Sequence, residues 1–199
     1  MAFNGSIYID NGTGAQRKVF DISSCELPVD QRKAIVGLHA FSGNDYLSSF
    51  FRKGKTTCFK KMLAKPEYIS AFTSLGGAKL LDAQVTQDIE RYVCSLYGRG
   101  KLESVNEARS SIFWDKYNKD KKIVELSMLP PCNGNLVLHL KRSNYVAYIF
   151  QHANDLHLDL DLPSLHGWGE TSVQWMDEYF PLTFTMCWLR QMIWKTKRC

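Results

Sequence analysis

LHAFSGNDYLSSFFRKGK, residues 38–55, is the stretch on which the reading of this chain turns. Ala34, Ile35, Leu38 and Phe41 recur at helical spacing from Val29 onward, and the run stops at Gly43, so the pattern predicts a helix that delivers Asp45 to its C-terminal end. Beyond it lie Arg52, Lys53, Lys55, Lys60, Lys61 and Lys65, with no acid between Tyr46 and Pro66. Gly54 sits between two lysines just ahead of a helix expected to start at Thr56 or Thr57. Two readings of Asp45 stand. As an isolated G-x-D-Y, the segment favours Asp45 as a cap for the following turn. Beside a glycine that lets other backbone come close, its carboxylate is also an oxygen ligand suited to Mg²⁺ or Mn²⁺. The basic stretch is either a solvated face or a phosphate site, because N–H groups at a helix start, opened by glycine and flanked by lysines, favour an anion.

Outward from this segment, SIYIDNGTGAQRKVFDI reads as a β-hairpin, with Gly12 and Gly14 free to take positive φ in the turn. Downstream, CFKKML makes a short helix that Pro66 interrupts, and Pro66 opens another, with Tyr68, Ile69, Phe72 and Leu75 inward and Gly76-Gly77 at its end. A further helix is expected from near Thr86, with Ile89, Tyr92, Val93 and Leu96 buried, to Gly98. Ser104 and Glu107 in SVNEAR match a capping box leading a helix through Ile112 and Phe113, and Asp115 to Lys122 reads as a lysine-rich solvated connector. After the LPPCNGN loop, LVLHLKRSNYVAYIFQH should form the longest helix, mostly buried, with Lys141 and Arg142 on its polar side. HGWGETSVQWM suggests a turn and a short extended piece, and a last helix is expected near Phe184 to Lys195. The fold class is thus α-rich α+β, an N-terminal hairpin followed by a multi-helix assembly.

The bulk composition agrees with a globular chain: 199 residues, 45% hydrophobic and 23% charged. A net charge of +5 and a pI near 8.8 tilt it toward anionic partners such as nucleic acid. With no basic leader ahead of Asn4 and Asp10 and no apolar run of about 20 residues, the chain is expected to be soluble and intracellular, with no membrane partner. The six cysteines are scattered at 25, 58, 94, 132, 187 and 199, without the pairing of a zinc site or a disulfide scaffold, and read mostly as small, reduced, partly buried residues. His39 and His139 read as hydrogen-bonded core or boundary residues, and Trp168 and Trp175 as packing aromatics that could alternatively stack on bases.

The order of hairpin, helix, L-x-x-L-x-G-x-D-Y and basic glycine loop resembles the C-terminal half of a flap-endonuclease or PIN-like nuclease domain. That resemblance implies that Asp45 helps hold a metal pair, and that RKGKTTCFKKM, through Arg52, Lys53, Gly54, Lys55 and Lys60, grips a DNA backbone without reading bases. Much of the chain, residues 5 to 181, is similar to a widespread group of transposon-associated animal proteins, on HAF-x-G-x-D, RKGK, SVNEAR, LPP with LHLKRSNY, HGW, and the region from Trp175 to Pro181. Members of that group often carry cysteine where this chain has Asn44, and a zinc-binding tail resembling tesmin-type repeats where this sequence reads KTKRC, so no zinc site is carried over. The resemblance places the other metal-holding carboxylates upstream of residue 1. Residues 1–65 then correspond to a partial nuclease segment and 66–199 to a helical accessory region. The function expected is a transposon-derived, nuclear protein that binds DNA backbone and is catalytically incomplete. One alternative is a Mg²⁺- or Mn²⁺-dependent phosphodiesterase completed by other carboxylates, and another is a helical protein-interaction module. Oligomeric state is left open.

Overall fold

The structure is a computed structural model and describes residues 6–22, 24, 26–120 and 124–169. It is helix-rich with a two-stranded N-terminal hairpin, the α-rich α+β class that the sequence patterning predicts. The chain divides into two compact units, one containing residues 1–28 and the other running from Val29 to Gln174.

In the first unit, β1 (Tyr8–Asn11) pairs antiparallel with β2 (Lys18–Asp21), in the register Tyr8 to Asp21 and Asn11 to Lys18. The turn holds Gly12 and Gly14 at φ 90° and 55° and closes through a single 3₁₀ turn at Gly14–Gln16. Across the hairpin, Arg17 grips the Asp10 carboxylate with Nε 2.9 Å from one oxygen and 3.0 Å from the other.

The second unit is built from α1 (Val29–Phe41), α2 (Lys55–Met62), α3 (Pro66–Ser74), α4 (Ala83–Leu96), α5 (Val105–Asp120) and α6 (Asn133–Gln151). α1 lies at its centre against α3 and α6, while α4 packs on both α2 and α3. Aromatic rings fill the seam: Phe72 meets Tyr92 edge-on at 4.8 Å, and Phe41 lies 5.6 Å from Phe72 and 5.2 Å from Phe50. Phe41, Phe72 and Tyr92 are wholly buried, and the buried Tyr92 hydroxyl donates to the Cys58 carbonyl at 3.0 Å, which ties α4 to α2. Among the described residues no helix is long and apolar enough to cross a membrane. Cys58, Cys94 and Cys132 are free thiols, the first two buried and the third exposed.

The helix boundaries correct several expectations. α4 begins at Ala83, ahead of the expected Thr86, because Asp82 is its N-cap and accepts the Gln84 N–H at 2.8 Å. It ends where expected, with the Arg99 N–H on the Cys94 carbonyl (2.8 Å) and the Gly98 N–H on that of Ser95 (3.0 Å), a Schellman closure. α5 starts after Ser104, yet the capping box is not formed among the described residues; its first N–H, of Val105, goes 2.8 Å to the Glu90 carboxylate of α4. Asp115 to Asp120 are helix rather than connector. Arg99 pairs with Asp115, and Phe113 stacks on Tyr117 one turn on, so this solvated stretch gains the side-chain contacts that extend a helix. Among the described residues α6 is the longest helix, as expected, but it opens three residues ahead of Leu136 at Asn133, whose N–H finds the Asn106 side chain at 2.9 Å. Lys141 is exposed, while Arg142 bonds the Gly167 carbonyl at 2.7 Å and lies over the Trp168 ring, so Trp168 packs as a loop anchor. The extended piece with Trp175 and the helix near Phe184 fall outside the described residues.

Candidate nucleic-acid interface

The site is assembled around the C-terminal end of α1. Gly43 leaves the helix at φ 103°, and a Cβ there would lie 2.7 Å from the Ser49 Cα, so only glycine permits both the turn and the return of the chain across it. Asn44 and Leu47 bridge each other, Asn44 N–H to Leu47 O at 3.0 Å and Leu47 N–H to Asn44 O at 3.2 Å. The cap of this turn is Asn44: its Oδ1 accepts the Tyr46 N–H at 2.9 Å and its Nδ2 donates to the Ala40 carbonyl at 3.4 Å. Asp45 is exposed beside it.

The basic loop follows. Arg52 takes φ 56° and its guanidinium lies 5.0 Å from the Phe51 ring centre. The Lys53 ammonium rests 4.9 Å from the Tyr97 ring centre, at the far end of α4; burial pushes the Tyr97 hydroxyl up to about 12. Gly54 is the N-cap of α2 at φ −69°, with open space where a Cβ would stand. α2 therefore starts at Lys55, one residue earlier than Thr56. Its first turn holds no acid, and no side chain caps it. Lys60 is exposed on α2, Lys61 is half-buried, and the Lys65 ammonium lies 5.5 Å from the Tyr68 ring centre.

Lys55 is placed differently from its neighbours. Its ammonium turns back onto α1, 2.5 Å from the Gly43 carbonyl, 3.3 Å from Ser42 Oγ and 3.4 Å from the His39 carbonyl. Burial lowers its pKa below the ordinary lysine value. His39, on the last turn of α1, is exposed on one side and packs at 5.8 Å against Phe150; its pKa is lowered by burial and by Lys55 and raised by Asp45. His139 is the core histidine expected from its setting: its ring lies against Phe41 and Phe50, and its Nε2 stands 2.8 Å from the Phe41 carbonyl, which requires the proton on Nε2.

The structure thus sets Asp45 and Lys55 both beside His39 at the end of α1, places Lys53 over Tyr97 at the end of α4, and leaves Lys60 and Arg52 exposed. Asn44 and Tyr97, the residues that shape the turn and seat Lys53, were not singled out by sequence pattern. An asparagine following a helix-ending glycine is a recognisable turn signal; the approach of Tyr97 carries none.

A metal pair about 4 Å apart needs several converging carboxylates. Asp45 would be one, and among the described residues no group of three or more histidine, cysteine, aspartate or glutamate side chains is positioned to hold an ion. These groups alone do not fit a two-metal centre. Compared with protein-family models, curated proteins and solved structures, the chain matches none.

Proposed function

We propose that this is a PIN-like-nuclease-related, transposon-derived protein that binds DNA backbone without sequence preference, through Arg52, Lys53 and Gly54 of the loop and Lys60 on the last turn of α2, and that acts in the nucleus. The observation that carries the reading is the start of α2: a glycine N-cap, no side-chain cap and no acid in the first turn, with exposed Arg52 just before it and exposed Lys60 on the last turn of the same helix. First-turn N–H groups lack intrahelical acceptors and favour an anion, and lysines add charge that any phosphodiester strand satisfies. The order of hairpin, helix, G-x-D-Y and basic loop supports the nuclease kinship.

The test is binding of fluorescent duplex and flap DNA across a salt titration. Affinity should fall log-linearly with salt, and Lys53→Ala and Lys60→Ala should each reduce the slope by about 0.9. Salt-insensitive or sequence-selective binding would overturn the reading, and no binding at all would redirect the search to a protein partner.

A second reading is favoured by one detail. Because Asn44 closes the turn, the Asp45 carboxylate stays exposed for a Mg²⁺ or Mn²⁺ ion. With carboxylates supplied from elsewhere, the protein would be a metal-dependent phosphodiesterase. Mn²⁺-dependent shortening of the DNA that Asp45→Ala abolishes would establish it, and intact DNA with Mn²⁺ present would reject it for this chain.

A further inference from the structure

Every helix leaves its last carbonyls without intrahelical donors. At the end of α1 each finds one. The Leu38 carbonyl takes the Ser42 N–H at 2.8 Å, that of Ala40 the Asn44 amide, and that of Phe41 the His139 ring. The His39 carbonyl takes the Ser42 hydroxyl at 3.5 Å, and Lys55 reaches both it and the Gly43 carbonyl just beyond the helix, with Ser42 Oγ as a third acceptor. An ammonium has three protons, and here three oxygens surround it. A cation at a helix C-terminus also meets the negative end of the helix dipole. Lys55 opens α2 and lies 16 residues beyond His39, so its contacts close the whole turn between the two helices.

We propose that Lys55 is a positioning residue: its ammonium clamps the end of α1 to the start of α2, fixing the turn that carries Asp45, Arg52 and Lys53, and does not itself contact phosphate. Its consequence for DNA rests on the reading above; the clamp does not. Lys55 and Lys60 are both exposed, but to reach a phosphate the Lys55 ammonium would abandon three oxygens, whereas Lys53 has only a ring contact to give up. Lysine is also distinguishable from arginine here. A guanidinium keeps the charge and grips phosphate in a planar fork, but it does not fit a compact tripod of acceptors.

The experiment follows lysine ammonium signals by ¹⁵N NMR in the full chain, without DNA and then with a plain duplex, alongside Lys55→Arg and Lys55→Met. Without DNA, the Lys55 ammonium protons should exchange more than tenfold more slowly than those of Lys60, and Lys55→Met should speed amide exchange from Asn44 to Lys53 more than tenfold. With DNA, the Lys53 and Lys60 signals should move while that of Lys55 stays. Lys55→Arg should bind more weakly than the parent with an unchanged salt slope, a pattern that loss of folded protein alone would not give once both proteins are shown to be folded at the assay temperature. A Lys55 ammonium that exchanges as fast as Lys60, or that moves with DNA, or a Lys55→Arg protein that binds as tightly as the parent, overturns the proposal. If DNA moves no signal, the DNA-binding reading fails, and the clamp stands or falls on the DNA-free exchange alone.

Discussion

Asn144 Oδ1 accepts the Gly76 N–H at 2.8 Å, a buried bond between the middle of α6 and the chain leaving α3. The Asn144 amide nitrogen donates in turn to the Ala78 carbonyl at 2.8 Å, so one side chain, 1% exposed, satisfies both edges of the crossover toward α4. Asn144→Ala should leave both backbone groups unpaired, at roughly 1–3 kcal/mol each. Urea unfolding checks it: the midpoint should fall with the slope unchanged. Asn144→Asp keeps the acceptor for Gly76 but aims an oxygen at the Ala78 carbonyl, and should be destabilising as well.

Gly76 and Gly54 predict different outcomes for the same substitution. Gly76 sits at φ 84°, and a Cβ there would fall 2.7 Å from the Ala147 carbonyl carbon, so Gly76→Ala adds a backbone clash to a left-handed strain of about 1–3 kcal/mol. Gly54 has φ −69° and free space around it. Gly54→Ala should move the thermal midpoint little, since the restriction alanine puts on the unfolded chain is offset by its being a poorer N-cap than glycine. Loss of DNA affinity in a fully stable Gly54→Ala would then report close approach of a strand to the backbone of α2.

Asn44 and Asp45 separate in the same way. Asn44→Ala removes the turn bond to Tyr46 and should cost about 1 kcal/mol. Asp45→Ala, at an exposed position, should shift stability by less than about 0.5 kcal/mol. Paired thermal melts decide whether the carboxylate is a structural cap; a large loss in Asp45→Ala would return that role to it.

What the sequence displayed was periodicity and punctuation. Leu38, Phe41 and Gly43 announced α1 and its end, and Pro66, Gly76 and Gly98 bounded the helices that follow, because these signals act within one turn of chain. Contacts made at long range were not visible. Lys55 looked like its neighbours Lys53 and Lys60, and only the folded return of α2 to α1 separates it from them. The extension of α5 past Asp115 was hidden for a related reason: its outward face is charged, and the Arg99 pair that anchors it comes from the preceding turn. Val105 likewise takes its cap from Glu90, an acid that local spacing could not nominate over Glu107.

His139 predicts a pH dependence of stability. Its ring is enclosed by Phe41 and Phe50, and burial lowers its pKa below 6.5, with the Phe41 carbonyl opposing that shift and Arg142 adding to it. The neutral ring, with its proton on Nε2, is the form that serves the Phe41 carbonyl. In the unfolded chain His139 protonates near 6.5, while the folded state resists until lower pH, so the unfolded state holds more protons across that interval. The stabilisation is therefore complete above pH 6.5 and is lost as the pH falls through the depressed folded value. His39 is lowered too and acts in the same direction, so the comparison must be made on one site at a time. Urea midpoints measured from pH 7.5 to 5 should decline less steeply in His139→Gln, whose amide can still donate to Phe41, than in the parent. Parallel profiles would show that His139 titrates alike in both states and would remove it as a source of acid sensitivity.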